Sequence, residues 1–396
     1  GFMVTVKQNE SEHRVRGIMM EFARETGLSP ATKAPRRYLW TDAFAVCNFL
    51  GLYKATGDDE CKDLARQLVD QVHDTLGHHR GDDSRTGWIS GLDEELGKKH
   101  PTRGGLRIGK HLQERDPGEP FDEDLEWDRD GQYYHYLTKW MHALHCVSKA
   151  TGDMKYNRWA VELAKTAHTR FVRTSRGGDP KTMCWKMSID LSRPLVPSMG
   201  QHDPLDGWVT YNELQAAAQK EDVEPVESDL RSEIFDMGRI CQGRNWVTDD
   251  PLGIGGLLFD ACRLVQLIVS GALEETGLLE TLLESSRIGL ESFVKEDSLR
   301  LPANYRLAFR ELGLSIGLRA VEKIRERIEK ESLPFWNKKS LHSLLKALSR
   351  HAGLREIIEK FWLQGKNRKT GIYTTHHDIN EVMLATSLVS DGFLEL

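Results

Sequence analysis

The sequence predicts an all-α fold: six helical hairpins closed into an (α/α)6 toroid with inner and outer helices alternating. Three observations predict it. Apolar residues recur at helical spacing along nearly all of the 396 residues, while strand-like alternation of β-branched residues is almost confined to positions 3–6. The string Lys-Ala-Thr-Gly-Asp occurs at 54–58 and again at 149–153, an offset of 95 residues from Lys54 to Lys149. Finally, the helical segments alternate between apolar and charged, as expected of an inner layer touched on several sides and an outer layer facing water.

The elements follow in order. A first helix over 13–26 ends at Gly27, with Pro30 just beyond. Residues 37–42, rich in aromatics, lead into an apolar helix that closes at Thr56-Gly57-Asp58, and an amphipathic helix over 60–76 follows. At the 95-residue offset Tyr38 falls on Tyr133, Ala65 on Ala160, Leu68 on Leu163 and His73 on His168, so each copy is one hairpin whose turn glycine takes a left-handed C-terminal cap. Further pairs without the turn motif are 203–218 with 227–241, 250–271 with 274–294, and 304–328 with 340–363. A last helix over 378–389 pairs with the first and closes the ring as one domain over 1–396. Loops preceding inner helices are long, notably 77–126, 173–202 and 364–377, and the first of these is expected as a lid-like insertion.

Composition removes several function classes. The net charge of −6, from 54 basic and 60 acidic residues, leaves no electrostatic footprint for nucleic acid. No uninterrupted apolar run suggests a membrane span, and no signal-like segment opens the chain, so a cytoplasmic protein is expected. Cys47, Cys61, Cys146, Cys184, Cys241 and Cys262 lack any Cys-x-x-Cys spacing and read as small buried hydrophobes. Gly253-Ile254-Gly255-Gly256 follows no strand, so these glycines read as helix-packing positions rather than a phosphate loop.

The densest polar packet is Trp127-Asp128-Arg129-Asp130-Gly131-Gln132-Tyr133-Tyr134-His135-Tyr136, at the start of an inner helix. Acids and aromatic rings also gather at the other inner-helix starts. Together with the hairpin style of Leu52-Tyr53-Lys54-Ala55-Thr56-Gly57-Asp58, this resembles the six-hairpin glycosidases. That (α/α)6 superfamily includes unsaturated glucuronyl hydrolases and, in closely similar toroids, the N-acylglucosamine 2-epimerases. The resemblance implies a site in the funnel formed by the inner-helix starts, and a small saccharide as substrate.

On that reading Asp130 and Asp128, with Asp42 or Asp203 across the funnel, supply the paired carboxyls that glycoside hydrolysis needs. Asp130 is the expected general acid. Tyr38, Trp40, Trp127, Tyr134, His135, His202, Asp206, Trp208, Tyr305, Arg306, His376 and His377 are expected to bind the sugar, by ring stacking and hydrogen bonding. Asp42 and Asp206 also suit helix N-termini, Trp40 and Trp208 also suit a core, and Arg306 also suits neutralising a buried acid. No short metal signature is present, so neither a metal nor another cofactor is expected. The alternatives are an epimerase or isomerase, using histidines as acid and base, and a non-catalytic carbohydrate-binding or scaffold protein. The late inner helices lack the epimerases' characteristic His and Glu spacing. Oligomeric state is not legible.

Overall fold

The computed structural model describes residues 2–174, 177–178, 181–220, 229–331, 333–335 and 338–396. The chain divides into two compact units, Ala23–Gln242 and Gly243–Leu396 with Gly1–Phe22. The first helix, α1 (Phe2–Glu25), starts earlier than the sequence predicts and absorbs residues 3–6. A four-residue alternation with no strand to pair against yields to the helix formers that follow it.

Within Ala23–Gln242 the elements are α2 (Leu39–Thr56), α3 (Asp59–Leu76), α4 (Glu94–Lys99), α5 (Glu123–Trp127), α6 (Tyr134–Thr151), α7 (Lys155–Phe171), α8 (Asp203–Lys220) and α9 (Arg231–Cys241). The predicted start of this last helix at Glu227 lies outside the described residues. Residues 39–52 of α2 are all buried, whereas α3 buries only one stripe, including Leu64, Ala65, Leu68, Val69 and Val72. Helix α6 packs against both α2 and α8, which makes these three the inner helices.

The two repeated turns have the same geometry. Gly57 and Gly152 sit at φ 73° and 74°, the left-handed region where a Cβ is penalised. Thr56 Oγ1 and Thr151 Oγ1 each donate to the carbonyl four residues back at 2.7 Å. Asp58 Oδ1 then accepts from the Glu60 amide at 2.9 Å, and Asp153 Oδ1 from the Lys155 amide at 3.0 Å, which starts the next helix. Each Thr-Gly-Asp therefore stops one helix; Asp58 also caps its successor, whereas the N-cap position of α7 (Lys155–Phe171) is Met154.

Short strands fall where sequence periodicity shows none. Gln132–Tyr133 (β1), Lys186–Met187 (β4) and Pro194–Val196 (β5) form an antiparallel sheet in the order β1-β4-β5, and Val172–Arg173 (β2) pairs with Thr182–Met183 (β3). The first sheet fixes the loop before α8 against the start of α6. Tyr133 faces Lys186 in its register.

The loop over 77–126 is tied down at several points. Arg80 and Arg107 converge on Asp130, and Arg107 also donates to the carbonyls of His78 (2.8 Å) and Thr75 (2.7 Å). Arg85 reaches Glu114 at 2.8 Å, and Arg115 reaches Glu126 at 3.2 Å. These contacts belong to a fixed wall rather than to a segment with few anchors.

The second unit contains α10 (Pro251–Val269), α11 (Thr276–Glu296), α12 (Ala308–Lys330), α13 (Lys339–Ser349), α14 (Gly353–Leu363), α15 (Gly365–Arg368), α16 (Gly371–Thr375), α17 (His377–Leu388) and α18 (Asp391–Leu394). The sequence predicts one helix over 340–363; the structure breaks it into α13 and α14. Pro251 at the first turn of α10 and Asp250 accepting from the Gly253 amide at 2.8 Å match an ordinary cap. By length and composition α10 is apolar enough to cross a membrane, but 78% of that stretch is buried inside the structure, where it packs against α11 and α12. Of the glycines expected for packing, Gly255 does that work: a Cβ on it would fall on the carbonyl oxygen of Gly313, and one on Gly317 would lie 2.8 Å from the Gly255 Cα, whereas one on Gly256 would meet nothing.

Candidate functional site in the Ala23–Gln242 unit

A cluster of rings lies where α2 and α6 begin. The Tyr38 hydroxyl meets that of Tyr136 at 2.6 Å, and the Trp40 ring lies 5.4 Å from Tyr136 and 6.1 Å from His135. The His135 imidazole is stacked on Trp185 (5.9 Å, 8° between planes) and on Tyr133 (5.3 Å, 28°). Trp185 also stacks on Trp127, with centroids 6.4 Å apart. Trp127 is 46% exposed, unlike the buried Trp40, so its ring is open to a ligand.

Two lysines stand over this floor. Lys110 Nζ is 4.8 Å from the Trp127 ring centre and 5.5 Å from that of Tyr38. Burial, with Lys186 nearby, pushes the Lys110 ammonium down to about 8, against the pull of Asp128 and Asp130. Lys139 Nζ lies 5.7 Å from the Trp40 ring centre and pairs with Asp206 at 3.2 Å. Asp206 also accepts from the Thr138 hydroxyl.

Asp203, the first residue of α8, is the unusual acid. Burial pushes its carboxyl up to about 7; Asp206 adds to the shift and Lys139 opposes it. Its Oδ2 is buried with no hydrogen-bond partner. Gly200 sets its neighbours, since a Cβ there would lie 2.5 Å from Asp203 Oδ2 and 2.8 Å from Trp185 Cδ1. The carboxyl and the indole that stacks on His135 thus share one wall.

Other expected residues serve the architecture. Asp130 is completely buried, and it accepts from Arg80 (2.9 Å), Arg107 (2.9 Å) and the amides of Gly109 (3.0 Å) and Gly131 (3.0 Å). A carboxylate so enclosed is a bracket for the 77–130 segment, and nothing in that geometry suits proton donation to a sugar. Asp42 accepts from the Tyr38 amide at 3.0 Å and stands 3.6 Å from Arg37, the helix-start role open to it from sequence. Tyr134 is core, with its hydroxyl donating to Tyr211 at 2.7 Å and its ring on Phe171. Trp208 leans toward Gly238 of α9, on the outer side of α8. The His202 carbonyl accepts the Asp206 amide at 2.9 Å, and Asp128 is exposed.

Four expected residues belong to the second unit. Tyr305 is 74% exposed. Arg306 grips Glu311 with two bonds, at 2.9 and 2.7 Å, donates to the carbonyls of Leu299 and Leu301, and stacks 3.6 Å over Phe361. Its guanidinium neutralises a buried acid, the second of the two roles open from sequence. His376 precedes α17, its ring 5.9 Å from that of Phe309, and His377 opens that helix.

Lys110, Tyr136 and Trp185 were not among the expected site residues. Lys110 and Trp185 lie in two of the long loops, and their identities follow no spacing rule. Tyr136 closes the packet at 127–136, so its residue type and place in the packet are the signal that marks it.

No protein-family model matches the chain, and no curated protein does. Solved structures do resemble it. A sugar epimerase from a ruminal bacterium is 10% identical, with 89% of this chain and 87% of that one covered at a TM-score of 0.46. Cellobiose 2-epimerase from Spirochaeta thermophila DSM 6192 is 14% identical, with 88% and 98% covered at 0.44. A D-mannose isomerase is 13% identical, with 96% and 97% covered at 0.50. The last of these likenesses carries the fold class: all-α, of the (α/α)6 kind the helical repeat predicts.

Proposed function

We propose that this chain is a carbohydrate-active enzyme that moves a proton at carbon in an intact sugar, as an epimerase or an aldose–ketose isomerase. The likeness in fold to a D-mannose isomerase supports this reading over the glycosidase reading first expected. The observation that carries it is the wall made by Asp203, Trp185 and His135. An acid that keeps its proton to near neutral pH and the indole on which an imidazole stacks both border Gly200. Of the carboxyls expected to serve hydrolysis, Asp130 is enclosed by arginines and backbone amides, and Asp42 is engaged by Arg37 and the Tyr38 amide.

In this mechanism Trp127 and Trp185 stack on the sugar. His135 removes the proton from the carbon beside the carbonyl of the open-chain form, leaving an enediolate. The Lys110 ammonium stabilises the oxyanion that develops. Asp203 returns a proton, to the adjacent carbon for isomerisation as the O2 hydroxyl proton passes to O1, or to the same carbon for epimerisation once the enediolate has turned its other face to this wall; His135 then releases a proton to solvent and Asp203 takes one up. Atoms and charge balance without a redox partner.

The test is a panel of aldoses, ketoses and disaccharides incubated in deuterium oxide. Deuterium at a carbon of the unhydrolysed sugar, lost at least about 100-fold in His135→Asn and Asp203→Asn, is the expected result. Release of free sugar from aryl glycosides with no carbon-bound deuterium overturns the reading.

A further inference from the structure

Cys47 and His142 are separated by the 95-residue repeat, so they occupy equivalent positions on consecutive inner helices, α2 and α6. One turn beyond His142 stands Cys146. The two sulfurs and a His142 ring nitrogen lie within 4.8 Å of one another, Cys146 Sγ being 3.6 Å from His142 Nε2. A tetrahedral metal bound at about 2.3 Å to sulfur and about 2.0 Å to nitrogen separates those atoms by about 3.5 Å. The three side chains are closed to solvent, at 1%, 2% and 7% exposure for Cys47, His142 and Cys146.

Two further features point the same way. His142 Nδ1 is 2.6 Å from Glu213 Oε1 on α8. A carboxylate behind a histidine fixes the tautomer, with Nδ1–H donated to Glu213 and the Nε2 lone pair turned toward the sulfurs. His145, the residue before Cys146, has both ring nitrogens buried without a hydrogen-bond partner. Buried nitrogens are rarely left so.

We infer that Cys47, Cys146 and His142 form a structural site for a thiophilic divalent cation of the zinc class, buttressed by Glu213, with the unpartnered His145 next to it in the chain. Binding exchanges the two thiol protons for the metal, so two thiolates and a dication make a neutral unit that can be buried without net charge. The site links two repeats of the inner layer, away from the rings proposed to meet the sugar, and does not rest on that reading.

The experiment uses the whole protein, purified without chelator and analysed for metal, then stripped and titrated with Co2+. One cobalt per chain with a near-ultraviolet sulfur-to-cobalt charge-transfer band is expected. The band should fall by about half in Cys47→Ala and in Cys146→Ala and persist in Cys184→Ala. Zinc should bleach it and raise Tm of the wild-type chain by about 5 °C, a readout that needs no variant to fold. No band at stoichiometric cobalt, or one that survives loss of either cysteine, overturns the proposal. So does a thiol count of four instead of six in the denatured, unreduced protein, with peptide mapping that joins Cys47 to Cys146 as a disulfide.

Discussion

At the scale of single residues, the carboxyl of Asp203 opposes stability and serves the proposed chemistry. Its folded pKa is raised to about 7, so between about pH 4 and 7 the folded protein holds a proton that the unfolded chain has released. The cost of ionising it inside the fold grows across that window and is complete above pH 7. Asp203→Asn should therefore match the wild type near pH 4 and exceed it at pH 8 by up to about 4 kcal/mol, read from urea midpoints, while turnover collapses. An equal offset at both pH values would show that the carboxyl is not the source. Asp130→Asn should behave in the opposite way. Removing the charge leaves Arg80 and Arg107 facing each other without their shared counter-ion, at a cost of about 3 kcal/mol, and protease should cut sooner within 78–112. Full stability with lost turnover would return Asp130 to the chemistry. The packet at 127–136 stands out in the sequence because its residue types are costly to bury without purpose. Which of its acids is bracketed by arginine was not, since Arg80 and Arg107 arrive from 50 and 23 residues away.

Helices and turns were more legible than any of these side chains, because a helix is set by neighbours three and four residues apart. The repeated Thr-Gly-Asp turns, the apolar character of α2 against the striped α3, and the cap at Asp250-Pro251 all follow from local chemistry. Strands of two or three residues carry no period, so the sheet holding Trp185 beside Tyr133 was invisible. The close approach of α10 and α12 was half visible, as a run of glycines without its partner. Gly255→Ala tests that approach: the methyl improves helix propensity by about 1 kcal/mol yet falls on the Gly313 carbonyl. Net destabilisation of about 1–3 kcal/mol is expected from overpacking, with Gly256→Ala, which meets nothing, stabilising instead. If both variants gain stability, the two helices are not in contact at Gly255.

Over the whole molecule, stability below neutral pH should be governed by imidazoles held neutral in the fold. Burial pushes His73 down to about 3, and burial also lowers His79, His145 and His168. A histidine with a depressed folded pKa contributes stability that is present above its unfolded value near 6.5 and is lost as pH falls below it. Asp203 acts in the reverse sense between pH 7 and 4, but it is one group against four. The urea midpoint should therefore fall steadily from pH 6.5 to 4.5. His73 identifies the cause, because its Nε2 accepts the Trp140 indole N–H at 3.0 Å and protonation would break that bond as well as bury a charge. His73→Gln keeps an acceptor without a titrating ring, so it should flatten the slope by up to about 1.4 kcal/mol per pH unit. An unchanged slope would move the acid sensitivity from His73 to the other three histidines.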